Sequence, residues 1–297
     1  MKELVVISGK GGTGKTSLTA SFAALAKSVV IADCDVDAAN LHLVMQPETF
    51  RREEFFSGHE ALIRTKDCIK CGRCKELCRF DAIRFEPEGR IYSVDPYNCE
   101  GCGVCVDHCP VSAIDFPERR SGTWSVSRTP YGTMVHAKLD PAGENSGQLV
   151  SLVRKEAKEK AREEGKDLVI TDGPPGIGCP VIASVTGASL VLIVTEPTLS
   201  GLHDMERVLQ LTGHFHVPAL VCVNKWDLNP EMTARIEEKC LVYNVKSAGR
   251  VRYDGGVTGA MVKGRPAVMA DIPAAEDIRE AWSKVERALT SLTKEET

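Results

Sequence analysis

The sequence predicts an α/β fold, a mostly parallel and doubly wound sheet, with a small cysteine-rich α+β unit inserted into it. Short apolar runs of strand length alternate with longer helical patterns at both ends of the chain. A glycine-rich turn joins the first apolar run to the first helix. Between the two α/β stretches, eight of the 12 cysteines crowd into two short clusters.

Residues 3–8 (ELVVIS) read as a buried parallel strand, and an apolar-periodic helix is predicted over 16–27. A second strand, 29–32, ends in the acidic turn DCDVD. The rhythm then breaks. From about 61 to 117 the chain is rich in cysteine and short of long helices, which predicts an insertion after the second strand. Residues 124–139, punctuated by Pro130 and Gly132, read as two strands or an irregular linker. The α/β pattern resumes at Ser146 with a charged helix over 148–164 and strands at 167–171, 189–195 and 218–223. Helices are expected near 200–212, 230–240, 255–263 and 275–293. The last places Ile278, Trp282, Val285, Leu289 and Leu292 on one face, while its other face mixes acids and bases and the chain ends Lys-Glu-Glu-Thr. That pattern predicts a helix packed on the sheet rather than one lying on a membrane. The expected division is an α/β domain at 1–60 and 120–297 with the insertion at 61–119.

The length of 297 residues allows a sizeable core, and 43% apolar with 26% charged residues is ordinary for a globular protein. A net charge of −4 argues for no nucleic-acid partner. Leu4–Ile7 is too short for a signal-peptide core, and no apolar run approaches a membrane span. No membrane partner and a cytoplasmic location are therefore expected. Cysteines spaced this tightly suit metal better than disulfides.

Residues 9–16 read GKGGTGKT, a match to G-x-x-x-x-G-K-[ST] between an apolar strand and a helix. The expected nucleotide site is Gly9, Lys10, Gly11, Gly12, Thr13, Gly14, Lys15, Thr16 and Ser17. Glycines there let backbone N–H groups turn inward around phosphate oxygens, and the helix start adds its positive end. Lys15 would reach the β- and γ-phosphates of ATP, and Thr16 would ligate Mg2+. The same residues hold G-x-G-x-x-G, so a dinucleotide fold competes, but Lys15–Thr16 supply what a triphosphate needs and NAD does not. Asp172 ends the run DLVITD and precedes GPPGIG. An acid there, opposite a P-loop, fits a Walker-B role on Mg2+, with Gly173 or Gly176 offering an N–H to the γ-phosphate.

The cysteine segment is an internal repeat. Residues 68–85 and 99–116 align without a gap at an offset of 31, each reading C-x-x-C-G-x-C-x-x-x-C-x-x-x-A-I-x-F. Two such runs suit two [4Fe–4S] clusters, because the two-residue spacings wrap one loop around three corners of a cubane and the fourth ligand comes from elsewhere. Zinc is the rival metal, since paired C-x-x-C units also make four-cysteine zinc sites, but the third and fourth cysteines suit it less well. The expected ligands are Cys68, Cys71, Cys74, Cys78, Cys99, Cys102, Cys105 and Cys109. Ile83, Phe85, Ile114 and Phe116 are expected to pack around the clusters. Cys109 is followed by Pro110 but Cys78 by Arg79, whose charge would raise the potential of a nearby cluster if it lies close.

The extra lysine of KGGTGKT, Lys10, resembles the deviant phosphate loop of the MinD, ParA and Mrp ATPases and of the nitrogenase iron protein. Asp33-Cys34-Asp35 with Asn40 resembles the first switch of that family, Asp172 with GPPGIG the second, and Asn224-Lys225 the place where adenine is read. The resemblance implies a P-loop ATPase that forms a homodimer on ATP binding. Lys10 would contact phosphates bound in the partner subunit, Asp35 would orient the attacking water, Asp33 or Asp172 would support Mg2+, and Lys15 would complete the catalytic set. Asp37 reads as part of a solvated turn. The cysteine segment resembles two-cluster ferredoxins, in which the fourth cysteine of each run serves the other cluster. One cluster would then take Cys68, Cys71, Cys74 and Cys109, and the other Cys99, Cys102, Cys105 and Cys78. The combination implies a nucleotide switch coupled to iron–sulfur clusters, in iron–sulfur or molybdenum–iron cluster assembly or carriage, with an iron–sulfur or redox partner protein. An ATP-gated low-potential electron donor is the alternative, and a MinD- or ParA-like positioning protein a further one that leaves the clusters unexplained. Cys179, seven residues after Asp172, lies at a remove similar to that of the iron protein's cluster-bridging cysteine, although a buried packing role is the commoner fate of a free cysteine. Cys34, Cys222 and Cys240 read as packing residues.

Overall fold

The computed structural model describes residues 1–141, 143 and 145–292. The chain opens with β1 (Lys2–Ser8), α1 (Lys15–Leu25), β2 (Val29–Asp33), α2 (His42–Met45) and β3 (Glu48–His59). The cysteine segment adds β4 (Leu62–Ile63), α3 (Arg73–Leu77), β5 (Ile83–Glu86), β6 (Ile91–Val94), α4 (Val104–Asp107) and β7 (Ile114–Asp115). Then come β8 (Glu118–Thr129), β9 (Gly132–Leu139), α5 (Ser146–Glu163), β10 (Leu168–Pro175), α6 (Cys179–Val185), β11 (Leu190–Thr195) and α7 (Leu199–His214). The chain finishes with β12 (Ala219–Asn224), α8 (Pro230–Val242), β13 (Lys246–Val251), α9 (Gly255–Val262) and α10 (Pro273–Ser291). Two compact units result. One holds Met1–Glu53, Trp124–Lys138 and the chain from Ser146 onward; the other holds Glu54–Thr123 with Leu139–Asn145.

A nine-stranded sheet runs in the order β13-β12-β11-β1-β10-β2-β9-β8-β3. The pairs from β13 through to β9 are parallel. Buried on both faces, β1 sends alternate side chains to opposite cores. Leu4 and Val6 pack with Leu18 and Phe22 of α1 and Trp282 of α10. Val5 and Ile7 pack with Val181 of α6, Met205 of α7 and Ile236 of α8. The α10 stripe expected from the sequence, Ile278, Trp282, Val285 and Leu289, is buried in the first core; Leu292 packs at its margin, and residues 293–297 of the expected helix and tail lie outside the described residues. Among the described residues no helix is long and apolar enough to cross a membrane. A buried ion pair ties α5 to β1, with Arg154 Nη2 at 2.6 Å from Glu3 Oε2 and Thr171 Oγ1 donating to Glu3 Oε1 at 3.0 Å. Removing one partner of such a pair costs about 3–5 kcal/mol, because the other charge stays buried.

The structure departs from the sequence reading at the sheet margins. The insertion follows β3, not β2. β3 is a sheet-edge strand, exposed along most of its length and charged, so it carries no alternation to read. β13, at the other edge, is polar and contains Gly249, and it too lacks an apolar run. The stretch that reads as two strands or linker is the hairpin β8–β9, beginning at Glu118. Ser121, Ser125 and Ser127 are buried there alongside Trp124 and Val126, so burial in this strand does not follow residue polarity. Ser127 Oγ meets His136 Nε2 at 2.8 Å and Thr49 Oγ1 at 2.9 Å, so hydroxyls do there what apolar side chains do elsewhere.

The second unit repeats itself in backbone as well as sequence. Left-handed residues recur at the offset of the repeat: Lys70 (φ 62°) with Gly101 (φ 59°), Gly72 (φ 79°) with Gly103 (φ 76°), and Asp81 with Ser112, both at φ 50°. Gly72 and Gly103 start α3 and α4 at equivalent points. β5 pairs antiparallel with β6, and β4 with β7. The apolar core is slight: Ala61, Ala82, Ile83, Ala113 and Ile114 are among the few buried side chains. Phe85 does not join it; it is 38% exposed and lies 5.0 Å from the ring of Tyr92, because its strand turns that face to solvent. So small a core needs another source of stability.

Candidate functional site

Three adjacent strands bring the nucleotide residues together. Val6 of β1 is in register with Asp172 of β10, and Asp172 with Asp33 of β2, so the loop after β1 and two acids meet at the carboxyl ends of the strands. Asp172 is not at its strand's end: β10 runs on to Pro175 past an irregularity in the pairing, and Gly176 N donates to Ser8 O at 2.9 Å rather than standing free.

Lys15 is 5% exposed, with Nζ at 3.0 Å from Asp172 Oδ1 and 3.3 Å from Asp35 Oδ2. Burial alone would depress its ammonium, but Asp172 and Asp35 outweigh that and hold it above its ordinary value. Thr16 Oγ1 donates to Asp172 Oδ2 at 2.8 Å, and Thr19 Oγ1, one turn on, to Asp172 Oδ1 at 2.9 Å. Gly12 (φ 81°) and Gly14 (φ 90°) take left-handed conformations, and a Cβ on Gly14 would stand 2.2 Å from Asn224 Nδ2. That amide donates to Thr13 O at 2.7 Å, and Lys225 Nζ to Gly12 O at 3.0 Å, so β12 braces the loop. A cavity of about 480 Å3 opens over it, lined by Gly11–Ser17, Asp35 and Asn40 on one side and Asn224, Arg252 and Met261 on the other. The buried hydroxyl of Thr13, in this lining, has no hydrogen-bond partner among the described residues. An unpaired buried donor beside a glycine-rich loop fits an anionic phosphate.

Lys10 lies apart from this cluster of charges. Its Nζ is 2.6 Å from Glu196 Oε1 and 3.0 Å from Ser200 Oγ. Glu196 also meets Lys225 at 3.2 Å; burial would raise its carboxyl, but Lys10 and Lys225 pull it below the usual range.

Asp33 is fully buried and accepts N–H bonds from Asp35 at 3.2 Å and Leu41 at 3.3 Å. Burial first, and then the neighbouring Asp172 carboxylate, push it well above the ordinary carboxylate range; Lys15 offsets this only in part. A raised folded-state value means the folded protein holds that proton more tightly than the unfolded chain. The associated stability is present at acid pH and is lost as pH rises through the folded value. Asp33→Asn is therefore expected to raise the melting temperature by about 2–4 °C at neutral pH without nucleotide or Mg2+, and to lose the advantage in acid. Equal melting of both proteins across the pH range would contradict this.

The cysteines gather in two cavities. Cys68, Cys71, Cys74 and Cys109 line one, and Cys99, Cys102, Cys105 and Cys78 the other. Each set takes three residues from one run and the fourth from the other. The rest of the linings is largely apolar, Ile63, Ile69, Val111 and Ile114 in the first, Leu77, Ile83, Val104 and Phe116 in the second. Ala113 N donates to Cys109 Sγ at 3.2 Å. Burial, then the neighbouring thiols, push Cys105 up to about 11. Four crowded thiols with apolar walls fit a cationic iron–sulfur core, which draws off the thiol protons and offsets the charge.

A family model described as a 4Fe-4S dicluster domain matches residues 61–116. An uncharacterized protein of Methanocaldococcus jannaschii is 34% identical over 230 residues, covering 76% of this chain and 79% of that protein. An uncharacterized ATP-binding protein of the same organism is 26% identical over 288 residues, covering 95% of this chain and 86% of that one. The solved structure of the septum site-determining protein MinD from Pyrococcus horikoshii, complexed with Mg-ADP, superposes with a TM-score of 0.59 at 17% identity, covering 96% of each chain. The chain belongs to one family with the 34%-identical Methanocaldococcus protein, and its fold is that of the MinD-type P-loop proteins. It differs from a plain MinD fold in carrying the 4Fe-4S dicluster domain within it.

In this MinD-like chain several site residues are not marked by their local sequence. Thr19 carried one signal, its place one helical turn after Lys15. Glu196 follows β11, and Arg252 and Met261 lie after β13; nothing in their local sequence points to a phosphate loop. Asp37 and Asn40 are exposed, Asn40 on the cavity wall. Cys179 is exposed at the start of α6, against the packing role expected for it, because its helix begins at the surface. Cys34, Cys222 and Cys240 are buried.

Proposed function

We propose that this chain hydrolyses Mg-ATP at the loop after β1 and couples that switch, through an ATP-dependent homodimer, to two [4Fe–4S] clusters that carry electrons to or from a redox partner protein. The observation that carries the redox half is the sorting of eight cysteines into two complete sets of four, each drawn from both repeats. Clusters so held stitch the two repeats together, and the unit has little other core, so releasing them as cargo would unfold it. When bound, such clusters supply one-electron chemistry.

The ATP half rests on the residues around Lys15. Backbone N–H groups of Gly11–Gly14 would cradle the phosphates, and Lys15 would exchange its carboxylate partners for them. That exchange frees Asp172, which with Thr16 would hold Mg2+, and leaves Asp35 to position water. Asn224 would read adenine from the far wall. Lys10 must leave Glu196 and Ser200 before it can reach phosphates in a second subunit, so dimer formation and nucleotide binding are linked through that exchange.

The deciding experiment is an anaerobic redox titration with EPR, with and without Mg-ATP, on protein of known iron content. About eight irons and a shift in potential on adding Mg-ATP are expected. Full iron with no shift would return the reading to cluster assembly or carriage, which the exposure of Cys179 favours. Zinc in place of iron would overturn the redox account.

A further inference from the structure

The two cysteine repeats share spacing and backbone conformation, but their surfaces have diverged in charge. Residues 68–85 carry Lys70, Arg73, Lys75, Arg79 and Arg84 against two acids, Glu76 and Asp81, whereas 99–116 contain no lysine or arginine and carry Glu100, Asp107 and Asp115. At the offset of the repeat, Lys70 answers to Gly101, Arg73 to Val104, Lys75 to Val106 and Arg79 to Pro110. All four cations are exposed. Arg84 pairs with Asp95, and Arg64 with Asp67 and Asp115, but none of the ion pairs described in this unit uses Lys70, Arg73, Lys75 or Arg79. The equivalent repeat folds without these charges, so the fold does not require them. Unpaired like charges held close together repel one another and suit a partner of opposite sign.

Arg79 follows Cys78 of the other cavity, but the placement of the remaining three cations singles out one cluster cavity. Lys70 lies between Cys68 and Cys71, Arg73 between Cys71 and Cys74, and Lys75 directly after Cys74. Arg73 also lines the cavity of Cys68, Cys71, Cys74 and Cys109, and so do Ile69 and Val111, which are 60% and 41% exposed. Exposed apolar side chains edged by unpaired cations have the anatomy of a docking surface, with a dry centre and a charged rim.

We propose that this face docks an acidic electron-carrier protein, for which flavodoxin serves as the probe below, and that the cluster held by Cys68, Cys71, Cys74 and Cys109 is the one through which electrons pass. The proposal rests on the two-cluster reading above. One electron passes from the reduced carrier to this unit, and no bond is made or broken. A nucleic acid fits less well, because the acidic second repeat belongs to the same small unit and the net charge of the chain is −4.

The test uses the full chain, isolated anaerobically and assayed for iron. Its binding to labelled acidic flavodoxin is measured at low and high salt, beside stopped-flow reduction by the same flavodoxin and by dithionite. Wild type is expected to bind more weakly as salt rises. The variant Lys70→Glu/Lys75→Glu is expected to lose about tenfold or more in affinity and in electron-transfer rate at low salt, with iron content and dithionite reduction unchanged. Asp107→Lys, in the second repeat, should leave both readouts within about twofold of wild type. The proposal is overturned if the double variant binds as wild type does, if Asp107→Lys has the larger effect, or if flavodoxin fails to bind while duplex DNA binds in a manner that the double variant loses. Little iron in the wild type would overturn the cluster reading itself, separately from any result with the charge variants.

Discussion

Replacing Lys15 with alanine is expected to lower ATP turnover by about 10²–10³-fold or more, the cost of deleting one preorganised charge from a phosphoryl-transfer site. Two features make Lys15 the most sensitive position of the loop. Its ammonium is the cation closest to Asp172 and Asp35, with ion pairs of 3.0 and 3.3 Å, so it neutralises the acids before nucleotide arrives. It is also 5% exposed, so solvent screens its interaction with those acids little. The same substitution should therefore destabilise the nucleotide-free protein at neutral pH, because buried Asp33, Asp35 and Asp172 are left to repel one another. Acid should relieve that loss, since burial raises the Asp33 and Asp35 values and makes them ready to take up protons. Lys15→Arg separates the two effects. It keeps a charge near the acids, but a planar guanidinium does not match the reach of an ammonium, so stability should recover further than turnover. Single-turnover hydrolysis and thermal melting across pH check both. Turnover of Lys15→Ala within about threefold of wild type would remove this site from the chemistry.

The second large effect concerns how the eight cysteines are shared. If ligands cross between the runs, Cys71→Ser/Cys109→Ser removes two ligands from one cluster and should leave about four irons, whereas Cys71→Ser/Cys78→Ser damages both clusters and should leave far fewer. Uncrossed ligation reverses the two outcomes, since Cys71 and Cys78 would then serve the same cluster. The cavity linings favour the crossed arrangement, with Cys109 beside Cys68, Cys71 and Cys74, and Cys78 beside Cys99, Cys102 and Cys105. Iron analysis with EPR of the two double variants distinguishes the cases. A further consequence follows from the slight core of this unit: the variant that damages both clusters should become the more sensitive to proteolysis between 54 and 123, while the P-loop unit, with its own two cores, keeps its melting transition.

Much of this protein is written locally in its sequence. The loop 9–16, the doubled cysteine spacing and the apolar runs of the central strands are legible because each depends on chemistry between near neighbours in the chain. A glycine turn needs its glycines in place, a cubane loop needs its cysteines at fixed intervals, and a strand buried on both faces needs an unbroken apolar run. The long α10 stripe was legible for the same reason, since one helix face recurs at a fixed period.

Tertiary structure decided the rest, where the partner lies far away in sequence or the signal is polar. The edge strands β3 and β13 are largely polar, so no apolar run marked them, and in the hairpin β8–β9 buried serines mixed with buried apolar residues left its two strands ambiguous. The hold of Glu196 on Lys10 spans 186 residues, and the brace from Asn224 to the loop 211, so only the meeting of strand ends creates them. The grouping of Cys109 with the first run and Cys78 with the second was implied by resemblance, and the folded unit groups them the same way. Sequence by itself determined which chemistries the chain can hold, because those depend on residue type and spacing. The fold decided which charges face one another, because that depends on which strands and loops are brought side by side.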